Sequence, residues 1–150
     1  ITGNTGVVAH MIREATGGEL FSIVTVDKYP ADYNATVDQG QRENQAKARP
    51  KLATHIGNLA AYDTIFLGFP NWWYDMPMAV YSFLDEYDLS GKTIIPFSTS
   101  GGSGFSDAIN SIQRAEPNAT VLKGLTIRDS SAVNAKADVA AWLREVGVVK

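Results

Sequence analysis

The sequence predicts an α/β domain in which helices cover both faces of a doubly wound parallel sheet. Short apolar runs alternate with amphipathic helical patterns along the chain, and one of those runs is almost unbroken. A third sign is "ITGNTG" at 1–6, a glycine-containing turn that feeds straight into a helical pattern.

Taken in order, Val8, Met11, Ile12 and Ala15 fall at i, i+3, i+4 and i+7, and "TGG" at 16–18 closes that helix. "LFSIVTV" (20–26) reads as a strand. The stretch 28–51 is polar in its second half, with a weak helix over roughly 34–48. Its Arg42, Lys47, Arg49 and Lys51 suit either an anionic partner or a solvated helix face. "TIFLGF" (64–69) has the composition of a parallel strand covered on both faces. Val80, Phe83, Leu84 and Tyr87 repeat the helical spacing behind Pro77, which suits a first turn. "KTIIPFS" (92–98) is a strand with one tension, because Pro96 cannot donate a ladder bond. Phe105, Ala108, Ile109 and Ile112 form the next helical face, ended by Pro117. "TVLKGLTI" (120–127) is the following strand. The last helix has Asn134 as its N-cap, then Val139, Trp142, Leu143 and Val146, with Gly147 as its stop.

One strand is missing from the alternation. A turn such as "ITGNTG" ordinarily follows a strand of about 5–6 residues, and this sequence starts without one. The 150 residues are expected to form a single domain.

Composition narrows the functional classes. Apolar residues make up 45% of the chain, charged residues 19%, and the net charge is −3. That balance offers no basic footprint for nucleic acid and no polybasic patch for a membrane. With no cysteine, disulfides, thiolate metal sites and thiol catalysis are excluded, and the expectation is a soluble, cytoplasmic protein. His10 and His55 are separated and make a poor metal site, so no metal is expected. Asp85, Glu86 and Asp88 read as a solvated helix end, and no G-x-S-x-G elbow supports a serine nucleophile.

In open parallel sheets, ligands bind beyond the carboxyl ends of the strands. Three loops should gather there. "TGNT" (2–5) offers neutral donors at a helix start, a phosphate cradle without a lysine, though a plain cap would look alike. "PNWWYD" (70–75) offers Trp72 and Trp73 as a stacking wall; core packing and a dimer contact are the alternative uses. "STSGGSG" (98–104) has three glycines and four hydroxyls, able to approach a flat polar edge or simply to form a surface loop. Together they describe a ligand with a phosphate at one end and a flat, polar-edged ring system at the other. Flavin mononucleotide (FMN) has that shape.

The chain resembles the flavodoxin-like superfamily, and more narrowly its small members with a double-tryptophan loop. The resemblance runs over nearly the whole length. It is strongest in "TGNT", "YPADYN" (29–34), "YDTIFLGFPNWWYDMPMAVYSFLDEYDLSGKTIIPFSTSGGSG" (62–104) and "ATVLKGLTIR" (119–128). It implies a five-stranded parallel sheet of order 2-1-3-4-5, non-covalent FMN and redox chemistry through the flavin. It also implies that Thr2, Gly3, Asn4 and Thr5 hold the phosphate. Pro70, Asn71, Trp72 and Trp73 would flank the ribityl chain and ring, and Thr99, Ser100, Gly101 and Gly102 would meet the pyrimidine side. The family's loop ordinarily begins S-x-T-G-N-T; Ile1 takes the x position here. The third loop's only nearby aromatic is Phe105, which the helical pattern gives to the core, so one flavin face is expected to stand open.

An open face leaves room for a nicotinamide or a quinone against the ring. The expectation is therefore an NAD(P)H-dependent FMN oxidoreductase with a quinone-like or other small acceptor and no protein acid or base. The alternative is a flavodoxin-type carrier reduced by a redox protein, for which a charge of −3 is weak support. A third reading is an interaction module that kept the fold without the cofactor. A homodimer through the aromatic loop stays open.

Overall fold

The computed structural model describes residues 4–148. Five helices follow the expected order: α1 (Asn4–Thr16), α2 (Tyr33–Ala46), α3 (Met78–Glu86), α4 (Ala108–Ala115) and α5 (Lys136–Glu145). The strands are β1 (Thr64–Pro70), β2 (Thr93–Ser100), β3 (Thr120–Val121) and β4 (Leu125–Arg128). All pairings are parallel: β1 lies beside β2, and β3 and β4 lie end to end along its other edge. This is the 3-4-5 part of the expected strand order.

Side-chain alternation on β2 builds two cores. Ile94 faces α3 and α4, packing with Leu67, Phe69, Val80, Phe83 and Ile112. Ile95 and Phe97 face α1 and α5, packing with Val8, Ile12, Val139, Trp142 and Leu143. Helices therefore cover both faces, as a doubly wound sheet requires. Phe97 needs the bare backbone of Gly68: a Cβ there would stand 2.1 Å from its ring.

Three expectations are corrected. The strand expected over 20–26 does not form. Val26 N–H bonds Lys51 O and Ala53 N–H bonds Val24 O, giving a single antiparallel bridge, Thr25 to Leu52. An apolar run becomes a strand only beside a continuous partner. Among the described residues, the backbone of this segment hydrogen-bonds outside itself only to the short stretch at 51–54. Leu20, Phe21, Val24 and Val26 accordingly stay exposed.

The strand expected over 120–127 is broken in two. Thr120 faces Thr93, whereas Leu125 faces Phe97, so five residues advance against four and the register shifts by one. Lys92 O and Ile94 O accept from Thr120 and Leu122 on that side. Pro96, next in phase, lies opposite this bulge with its carbonyl beside Gly124, so its missing N–H falls where the two strands are out of step.

Asn134 is not the cap of α5. It ends a 3₁₀ turn (Asp129–Asn134), and Ala135 takes the cap position without a side-chain bond. The polar α2 is capped instead by Asp32, whose carboxylate accepts from Ala35 N–H at 2.8 Å.

Candidate functional site

Parallel pairing sends the carboxyl ends of β1 and β2 to one edge, with Pro70 opposite Thr99. The start of α1 reaches that edge as well. Thr5 Oγ1 lies 2.7 Å from Thr99 Oγ1, a hydroxyl pair across the two elements. Asn71 N–H continues the ladder to Thr99 O at 2.9 Å. The Asn71 amide then donates to Gly104 O at 2.9 Å and to Ser106 Oγ at 3.0 Å. Three segments that are distant in sequence are thus joined by hydrogen bonds. The first turn of a helix also brings N–H groups without intrahelical partners and a partial positive charge to such an edge. Asn4 is exposed there, while Thr2 and Gly3 lie outside the described residues.

Beyond β2, Ser100 Oγ accepts from Gly102 N–H at 3.2 Å and Gly104 N–H at 3.1 Å, which curls the glycine loop. Gly101 and Gly102 are exposed, and a Cβ on either would meet nothing within 4 Å. Space is open beside that backbone. Phe105 packs against Phe69 on the α3/α4 side, with ring centres 6.3 Å apart.

The tryptophan loop is a two-residue reverse turn. Trp72 N–H bonds Asp75 O at 2.8 Å, and Asp75 N–H returns to Trp72 O at 3.1 Å. Its central residues, Trp73 and Tyr74, have φ of 55° and 62°. Two positive φ values mark the type I′ turn, which ordinarily takes Asn-Gly. Placing two aromatic residues there costs about 1–2 kcal/mol each.

Four contacts hold it. Asp75 Oδ1 accepts from Met76 N–H at 2.7 Å and from the Tyr81 hydroxyl at 2.6 Å. Trp73 Nε1 donates to Val37 O on α2 at 2.9 Å. The Trp72 ring meets Tyr29 edge-on, with centres 5.3 Å apart. Among the described residues, both indoles lean toward α2 and Tyr29 and make no hydrogen bond to Thr5 or to residues 99–102. Trp73 remains 40% exposed and Tyr74 71%.

The tyrosines behind this loop are firmly protonated. Burial pushes the Tyr29 phenol up, and its hydrogen bond to Glu43 adds to the shift. Tyr81 is pushed up to about 12 by burial first and by its bond to Asp75 second. Sequence reasoning did not single out Tyr29, Glu43, Asp75 or Tyr81 for a role here. Tyr81 lies off the helical face drawn by Val80, Phe83, Leu84 and Tyr87, and that displacement, six residues after Asp75, was the one available signal.

Solved structures share this architecture. A protein of Bacteroides uniformis assigned as a flavoprotein is 35% identical, with 95% of this chain and 92% of that chain covered and a TM-score of 0.83. One of Bacteroides eggerthii, also assigned as a flavoprotein, is 29% identical over 99% of this chain and 93% of that one, with a TM-score of 0.84. A Lactobacillus acidophilus flavoprotein, solved in complex with FMN, shares the fold at 22% identity, covering 89% and 90%, with a TM-score of 0.67. No curated protein sequence matches the chain. The flavodoxin family model matches residues 1–146, and with this α/β fold beneath the match, the chain belongs to the flavodoxin family.

Proposed function

We propose that the chain binds FMN at the carboxyl edge of β1 and β2 and acts as an NAD(P)H-dependent FMN oxidoreductase on a small, planar, quinone-like acceptor. The observation that carries the reading is the Thr5–Thr99 hydroxyl pair, with Asn71 bonded to the same Thr99. It is supported by the Lactobacillus acidophilus relative, which holds FMN on the same fold.

The donor set fits such a ligand. Neutral hydroxyls, an amide and helix-start N–H groups suit a phosphate without a lysine. In this reading Thr99 Oγ1 donates to Thr5 Oγ1, leaving the Thr5 proton for the phosphate alongside Asn4, Thr2 and Gly3. Gly101 and Gly102, with open space beside them, admit the flat polar edge, and Ser100 keeps their loop curled. Pro70, Asn71, Trp72 and Trp73 would flank the ribityl chain and the ring, the two indoles from a loop that packs on α2 and Tyr29. Phe105 is withdrawn onto Phe69, which leaves the other side for a nicotinamide or an acceptor. Bound FMN supplies the hydride and electron chemistry, and the protein supplies position and electrostatics.

Titration of purified protein into FMN tests the binding. Loss of flavin fluorescence is expected, and unchanged fluorescence with folded protein rejects it. Anaerobic addition of NADH or NADPH to the complex then separates the activities. Prompt bleaching of the flavin band fits the reductase; reduction only through a protein partner makes the chain a flavodoxin-type carrier.

A further inference from the structure

We infer that Asp75 and Tyr81 are positioning residues that clamp the Trp72–Asp75 turn in a backbone conformation its own side chains disfavour. The clamp thereby fixes both indoles against α2 and Tyr29, in the loop that leaves the carboxyl end of β1, where the proposed FMN site lies. The inference rests on the FMN reading for its functional consequence, though not for the clamp itself.

Trp73 and Tyr74 both lie at positive φ, where neither residue type is at ease. Left free, such a turn relaxes toward negative φ and swings its side chains out of place. Asp75 is fixed on every side against this. Its N–H and C=O both bond Trp72, and its Oδ1 takes Met76 N–H and the Tyr81 hydroxyl.

Tyr81 is itself braced. The Arg49 guanidinium sits 4.9 Å over its ring, and Arg49 Nε bonds Asp85 on the same helix at 2.7 Å. The phenol therefore reaches the turn from rigid α3. Trp73 Nε1 on Val37 O and Tyr29 against Trp72 hold the rings, whereas Asp75 and Tyr81 hold the backbone. Strain of this kind persists only where its surroundings over-determine it.

Tyr81→Phe keeps the ring under Arg49 and removes only the hydroxyl. In the protein without FMN, hydrogen exchange at the Trp72 and Asp75 amides is expected to quicken about tenfold, the scale of one lost charge-assisted hydrogen bond. The amides of β1 and β2 should be unchanged. FMN affinity, read by fluorescence quenching, should weaken about tenfold in parallel. Asp75→Asn keeps an oxygen for Met76 and Tyr81 but takes the charge from both bonds. Exchange at the same amides is therefore expected to quicken about tenfold as well, and an unchanged rate would overturn the role of Asp75. Adding Tyr74→Gly to Tyr81→Phe should restore amide protection, because glycine holds positive φ unaided. Unchanged exchange in Tyr81→Phe, equal acceleration across β1 and β2, or no restoration by Tyr74→Gly would overturn the clamp. Failure of the unsubstituted protein to quench FMN would reject the FMN reading instead and leave the exchange result standing.

Discussion

The hydroxyls of Thr5 and Thr99 meet at 2.7 Å although 94 positions separate the two residues in the chain. Thr99 is only 2% exposed at the end of β2, and a buried hydroxyl requires a partner. Thr5 supplies it from the opening turn of α1. The pair therefore fixes the start of that helix against the central strand, at the edge where Asn71 also bonds Thr99.

Thr5→Val keeps the side chain's shape and leaves the Thr99 hydroxyl without its partner. A loss of about 1–3 kcal/mol in stability is expected from that buried, unpaired group. In a domain of this length each kcal/mol moves the melting midpoint by about 2–4 °C. FMN affinity should fall together with stability, whereas Thr5→Ser should preserve both. Thermal melts and fluorescence titration of the two variants check this, and an unchanged midpoint in Thr5→Val would remove the pair's structural role.

Tyr74→Gly should make the protein more stable. Tyr74 is 71% exposed at φ 62°, so its removal sacrifices little burial and relieves a left-handed residue. Relief of about 1–2 kcal/mol, less about 0.5–1 kcal/mol for the freer unfolded chain, leaves a net gain of roughly 0.5–1 kcal/mol. Urea denaturation with the slope held constant measures it. A lower midpoint would mean the turn carries no strain.

The parts of this fold that were legible in the sequence are those where one face decides the pattern. Val8 and Ile12 of α1, Val80 and Phe83 of α3, and Val139 and Leu143 of α5 all lie where the spacing put them, because each helix buries a single stripe. The run at 20–26 misled for the complementary reason. Apolar composition records an appetite for burial, but a strand also needs a partner, which no local pattern specifies. Within the candidate site, the positions of Asn71 and Thr99 near the strand ends were legible, but not the hydrogen bonds they make to Thr5, Gly104 and Ser106. Tyr81 and Glu43 were not, because each acts through a neighbour, Asp75 and Tyr29 respectively, that only the folded arrangement brings within reach.

Gly124 tests the bulge beside Pro96. A Cβ at that position would stand 2.7 Å from Pro96 O and 2.4 Å from the tip of the Phe105 ring. The ring can swing away, but the carbonyl belongs to the central strand and cannot. Gly124→Ala is expected to cost about 1–3 kcal/mol, the range for overpacking a filled interior, with Phe105 displaced from Phe69. A melting curve combined with near-ultraviolet circular dichroism reads both effects. A variant as stable as the parent would show that β3 and β4 shift without penalty.

Glu116 should make stability depend on pH in the sense opposite to a paired carboxylate. It lies buried at the end of α4, and its carboxylate accepts a hydrogen bond from Leu89 N–H at 3.2 Å. Burial raises its pKa above the ordinary 4.5; the Leu89 bond opposes the shift, and the charges of Asp88 and Asp85 add to it. A carboxyl that holds its proton more tightly when folded adds stability below its unfolded pKa. That contribution is lost as pH rises through the raised folded value. Glu116→Gln keeps an oxygen for Leu89 and never ionises. Its melting midpoint, relative to the parent, should therefore be higher at pH 7.5 than at pH 4. Melts across that range check the sign, and a constant difference between the two proteins would mean that burial does not perturb Glu116.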